Sequence, residues 1–188
     1  MKTPAGKIAC GLLILQALFA LPVQAWEMRG EKTLLIEPRE GSPLRLGTIV
    51  FKPEGELTQF EIKLDHHVFK DYFLSMKEFK CIEGQNEIQC HVPYPYANPR
   101  TVSTVDLRWL EHSLLFLFKL PKEFGAKLWN GLYYRLQLTD EGLVGTPEAV
   151  DLAQIGAPPA DPSTPPYGPG DRSAIVPETR WFPRLLIR

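Results

Sequence analysis

The residues best suited to chemistry form one run, CIEGQNEIQCHVPYPYANP at 81–99, in which two cysteines precede a histidine and two tyrosines set among prolines. Three chemistries use such residues: a disulfide, a metal site built on Cys and His, or a thiol redox centre. Spacing separates them. With Gln85 and Asn86 as a two-residue turn, Gly84 faces Glu87, Glu83 faces Ile88, Ile82 faces Gln89 and Cys81 faces Cys90. Hydrogen-bonded and non-hydrogen-bonded pairs alternate outward from the turn, so the cysteines fall on a close, non-hydrogen-bonded pair, within disulfide reach. Closing so short a loop is worth about 2 to 3 kcal/mol on the chain-entropy account. A zinc site asks for further ligands at short spacing and a thioredoxin-like centre for CxxC, and the chain has neither.

Beyond the cysteines, the metal-ligating candidates are His66, His67 and His91, with Asp65 and His112. Neighbouring residues on a strand point to opposite faces, which keeps His91 from chelating together with Cys90, and His66 together with His67. No metal and no cofactor is expected. Tyr94 and Tyr96 are more promising as a binding surface. Pro93, Pro95 and Pro99 restrict the backbone around them, so two amphipathic rings are presented at low entropy cost. The plainer use of the same rings is to cover the core edge with their hydroxyls facing water.

Catalytic signatures are sparse. The chain has no GxSxG elbow, phosphate loop, HExxH or dinucleotide glycine fingerprint. Ser75, Ser103 and Ser113 carry no triad spacing, and Glu111 and His112 are adjacent rather than stacked on one helical face. An enzyme would need Asp65 or Glu111 brought to the histidines by the fold.

These residues need elements to hold them. TLLIE at 33–37, LGTIVFK at 46–52 and LTQFEIKL at 57–64 read as strands joined by PREGSP and PEGE turns, the last alternating apolar and polar like a sheet with one wet face. Phe69, Tyr72, Phe73, Met76 and Phe79 recur at helical spacing and predict a short amphipathic helix or turn. Leu107, Leu110, Leu114, Leu117 and Phe118 share one helical face behind a Ser103-to-Asp106 capping pattern and before Pro121, which predicts a helix near 104–119. LYYRLQL, the TDEG turn and Thr146 to Leu152 form a second hairpin, with Pro147 marking an edge or bulge. From Gly156 onward there are eight prolines in 33 residues, a density that predicts an extended arm without helix or interior strand. Its end, RWFPRLLIR, is too apolar for a disordered tail. Trp181 and Phe182 are therefore further candidates for a binding surface, unless they pack on their own domain.

The N-terminus fixes the expected compartment. Lys2 and Lys7 precede an apolar run from Ile8 to Leu21 and a small-residue site ending at Ala25, the pattern of a secretory signal peptide over 1–25. Cys10 falls inside that leader. Losing Lys2 and Lys7 leaves 19 Lys and Arg against 22 Asp and Glu, a net charge of −3. A balanced surface of mixed sign gives no footprint for nucleic acid or anionic lipid. No later run is long enough to cross a membrane as a helix.

The pattern as a whole predicts one exported α+β domain over 26–155, periplasmic or secreted. It should be mostly antiparallel, a sandwich or a partly open barrel-like sheet, with one helix near 104–119 and a proline-rich arm over 156–188. The function expected is non-catalytic, a binding or accessory protein for a protein or a small apolar ligand. A small hydrolase or metal-dependent enzyme is the alternative. Nothing in the pattern specifies an oligomer. Peptide mapping of the purified protein without reductant should recover Trp26 as the N-terminus and a peptide linking Cys81 to Cys90; two free thiols would contradict the hairpin register.

Overall fold

The structure, a computed structural model, describes residues 26–74 and 77–188. The expected leader at 1–25, with Ser75 and Met76, lies outside them. The first ladder is a meander of β1 (Gly30–Glu37), β2 (Leu44–Glu54) and β3 (Leu57–Leu64). Phe51 faces Phe60 across β2 and β3, and the connecting turn places Gly55 at φ +62°, a left-handed position that glycine fills without a Cβ clash.

A 3-10 turn at His66–Val68 leads to β4 (Lys70–Leu74), β5 (Lys77–Glu83) and β6 (Ile88–His91). Residues 92–100 then run to β7 (Thr101–Val102) and α1 (Arg108–Ser113). β8 (Phe116–Lys119), β9 (Gly131–Thr139) and β10 (Gly142–Val150) follow, and the proline-rich segment contributes β11 (Ser173–Ala174) and β12 (Arg184–Ile187). All pairings are antiparallel, in the order β4-β5-β6-β8-β9-β10-β12-β1-β2-β3-β7, with β11 beside β10.

β3 and β4 stand nine steps apart in that order, which is roughly 43 Å across a flat sheet at about 4.8 Å per step. Only residues 65–69 join them, a link that reaches roughly 20 Å when extended. The sheet must therefore curl until its two ends approach. Among the described residues no strand pairing closes the gap, so the result is one open sheet around one core rather than a sandwich or a closed barrel.

Two helical expectations are corrected. α1 spans only Arg108–Ser113, and Phe116–Lys119 is a strand between β6 and β9. LLFLF is apolar at every position, a run that serves a helix face and a strand buried on both sides equally well; here β6 and β9 both need a partner. The aromatic spacing from Phe69 to Phe79 likewise belongs to the β4-β5 hairpin, where Tyr72 faces Phe79. Phe73 is consequently turned outward and is 76% exposed.

The proline-rich arm is borne out in part, and one point of that expectation is corrected: its end forms an interior strand. The last proline is Pro183, so every residue of β12 keeps its N–H, and β12 pairs with β10 on one side and β1 on the other. Pro147 falls between the stretches of β10 that pair with β12 and with β11, where no ladder needs its missing donor. Among the described residues no helix is long and apolar enough to cross a membrane.

Leu185, Leu186 and Ile187 are all buried, each contributing about 1.5 to 3 kcal/mol. A chain ending at Pro183 should lose cooperative thermal unfolding, as read by near-UV circular dichroism. Retention of a sharp transition would mean that the two ladders hold together without β12.

Candidate functional site

The hairpin adopts the register its spacing predicts. Gly84 N–H donates to Glu87 C=O at 2.7 Å, Glu83 faces Ile88 and Ile82 faces Gln89. Cys81 faces Cys90 with Cα atoms 3.9 Å apart, joined by a disulfide. The C-terminal arm clamps this staple. The Arg180 guanidinium lies 3.9 Å over the Phe118 ring and 3.4 Å from the buried Glu87 carboxylate. Trp181 packs against Gly84 so closely that a Cβ there would sit 2.0 Å from its ring. Phe182 is fully buried, and its carbonyl lies 2.9 Å from the Tyr134 hydroxyl. Trp181 thus has one face against its own hairpin, and Phe182 has none left for a partner.

Beyond His91 the chain leaves the sheet and follows the segment after α1. Val92 N–H donates to Leu115 C=O at 2.8 Å and Tyr94 N–H to His112 C=O at 3.0 Å; Pro93 and Pro95, with no N–H, fall between and after these contacts. Tyr94 is 7% exposed, edge-on to Tyr96 at 5.6 Å and to His112 at 5.9 Å. Its hydroxyl is buried with no hydrogen-bond partner among the described residues, and burial raises its pKa. Tyr96 remains half-exposed.

Asn98 turns the loop back. Its side-chain amide donates to Trp109 C=O at 3.1 Å and to Ser113 Oγ at 2.9 Å, and its Oδ1 accepts the Arg100 N–H at 2.7 Å. Arg100, at φ +55°, is the one non-glycine residue with positive φ among those described. Its carbonyl accepts the Phe60 N–H at 2.8 Å, returning the chain to β3. Between that loop and β3 opens a cleft of about 530 Å³. Phe60, Ile62 and Leu64 form one wall, Tyr94 and Tyr96 the other, with His91, Asn98 and Arg100 around them. His91 Nε2–H donates to Ser113 C=O at 2.9 Å, its ring rests on Phe116 at 5.4 Å, and burial pushes its pKa down, so it stands there as a neutral ring.

Sequence spacing draws attention to Tyr94, Tyr96 and His91, and the fold brings all three to this cleft. Ile62 and Leu64 are legible only as the apolar face of a strand. Asn98 and Arg100 carry no signal beyond their place in a proline-rich loop.

The remaining candidates are not gathered. His66 and His67 are exposed on their 3-10 turn, where Asp65 Oδ1 accepts the His67 N–H at 3.1 Å. No group of three or more His, Cys, Asp or Glu close enough to hold a metal exists among the described residues. Glu111 and His112 occupy the core separately. The Glu111 carboxylate accepts from the Tyr133 hydroxyl and from Leu136 N–H at 2.6 Å, and burial raises its pKa. His112 donates from Nδ1 to Arg108 C=O at 2.7 Å and accepts the Tyr167 N–H on Nε2 at 3.1 Å. Both ring nitrogens are used, and burial pushes the pKa down to about 4. Comparison with protein-family models, with curated proteins and with solved structures finds no match to this chain.

The histidine shift has a definite sign. The unfolded chain protonates His112 near pH 6.5 and the fold only near 4, so across that window the unfolded state binds more protons and stability falls as pH falls. His91 acts in the same direction. Glu111 opposes both, because its raised pKa lets the fold take up a proton before the unfolded chain does. Chemical denaturation between pH 7 and 4 should show a loss to which His112 contributes roughly 3 kcal/mol, and Glu111→Gln should steepen it. An Nε2-protonated or charged His112 ring in NMR spectra at pH 6 would refute the assignment.

Proposed function

We propose that the protein is an exported, non-catalytic binding protein and that its binding site is the cleft between β3 and residues 92–100. The observation that carries this reading is the uneven cover on one face of β3. Thr58 and Phe60 are buried, whereas Ile62 and Leu64, next on the same face, are half-exposed in the cleft opposite Tyr96. Apolar side chains facing a concave aromatic wall are the usual basis of a ligand or partner site. Export rests on the leader pattern at 1–25, with the Cys81–Cys90 disulfide in keeping with an oxidising compartment.

The enzymatic alternative has less support. Its best groups, Glu111 and His112, spend their hydrogen-bonding capacity on the backbone and on Tyr133. A protein or a small apolar molecule remains the occupant class.

Native mass spectrometry of the protein recovered from its own host compartment tests the reading. The wild type should begin at Trp26 and carry a bound mass. Ile62→Asn and Tyr96→Ser should lose most of that mass, with a Tm within about 2 to 4 °C of wild type, the shift expected for roughly 1 kcal/mol. A bound mass indifferent to both substitutions would place the site elsewhere.

A further inference from the structure

We infer that the occupant is an extended peptide segment that adds to the free edge of β3 as a strand, with one of its carboxylates against Arg100. This rests on the cleft being the binding site and names the chemistry it recognises.

The direction of each β3 amide follows from two hydrogen bonds. Asp65 N–H, in line after the strand, donates to Leu46 C=O of β2 at 2.8 Å, and Phe60 N–H donates the opposite way, to Arg100 C=O at 2.8 Å. Amides alternate along a strand, so Ile62 and Leu64 direct their N–H and C=O away from β2, to the side where Arg100 sits. On that side β7 reaches only Thr58 and Gln59. Past Arg100 nothing among the described residues pairs with β3, because Asn98 is held instead by Trp109 and Ser113. Two backbone donors and two acceptors, spaced at about 6.6 Å, thus line one side of the cleft.

That arrangement selects among occupants. A small apolar molecule would cover Ile62 and Leu64 but leave their backbone groups unpaired in a drier setting, which disfavours it. An added strand satisfies the same groups and points alternate side chains between Phe60 and Tyr96. From Phe60 to Leu64 the edge is roughly 13 Å long, room for about four residues.

Charge supplies the second recognition element. Arg100 is the one formally charged side chain lining the cleft, since His91 is neutral, and it forms no ion pair among the described residues. Glu61 and Lys52 flank it only in the adjoining hollow. A single carboxylate complements a single guanidinium, bidentately where geometry allows.

The test uses the full mature protein and random octapeptides, one set with free C-termini and one amidated, screened by fluorescence anisotropy. Peptides from the free set should bind, and NMR should show the Ile62 and Leu64 amides exchanging at least about tenfold more slowly in the complex, while Arg100→Asn weakens binding about tenfold or more. Asn is chosen because it tolerates positive φ. Binding by amidated peptides only when they contain Asp or Glu would assign the carboxylate to a side chain and support the same mode. Peptide binding without protection of both amides overturns strand addition. So does the absence of peptide binding when anilinonaphthalene sulfonate still binds and shifts Tyr96 resonances, an outcome that leaves the cleft a binding site for apolar molecules. If neither probe perturbs the cleft, the binding reading fails with it.

Discussion

Among the described residues, β12 is the only strand through which the two halves of the sheet pair. β1, β2, β3 and β7 lie on one side of it, and β4, β5, β6, β8, β9 and β10 on the other. Residues 184–187 make the join, so neither half has its central partner until β12 is in place. Burial of Leu185, Leu186 and Ile187 supplies about 5 to 9 kcal/mol, comparable with the whole net stability of a typical domain. The same arm holds the hairpin on its way, through Arg180 on Phe118 and Trp181 on Gly84.

The join has a consequence at the opposite ends of the sheet. With the halves fixed at β12, the short link over 65–69 forces β3 and β4 toward each other, and the cleft forms on the β3 side of the seam that stays open. The seam is further shaped by Asn98, which trades continuation along β3 for contacts to α1 and turns the chain at a left-handed Arg100. A non-glycine residue in that region costs about 1 kcal/mol or more and persists where its surroundings fix it. The staple at Cys81–Cys90 and the donation from Val92 to Leu115 anchor the other end of the loop.

Local chemistry made part of this legible in the sequence. The cysteine register follows from counting outward from a two-residue turn, and the β9-β10 hairpin from alternation around TDEG. What the sequence hides is decided by tertiary partners. LLFLF at 114–118 satisfies a helix face and a doubly buried strand equally, and only the presence of β6 and β9 on either side selects the strand. RLLI at 184–187 gives no sign that it is interior, because four apolar or aliphatic-stemmed residues after a proline also suit an edge or a docking tail. The cleft depends on both of these placements, so its tyrosines could be singled out while the wall opposite them could not.

The two open edges of the sheet are treated differently. On β4, Lys70 and Asp71 are exposed and ion-paired to Glu83 and Lys80, which places charge on a strand that would otherwise invite pairing. On the free part of β3 the residues of the inward face are Ile62 and Leu64, and the charged Glu61 and Lys63 alternate onto the other face, leaving the edge amides unguarded. An edge without charge or proline would invite pairing, and here the Tyr94–Tyr96 wall stands across the cleft from it. The loop carrying that wall is fixed by Asn98, which donates to Trp109 C=O and Ser113 Oγ rather than continuing along β3, so the contact that leaves the β3 edge free also holds the wall opposite it.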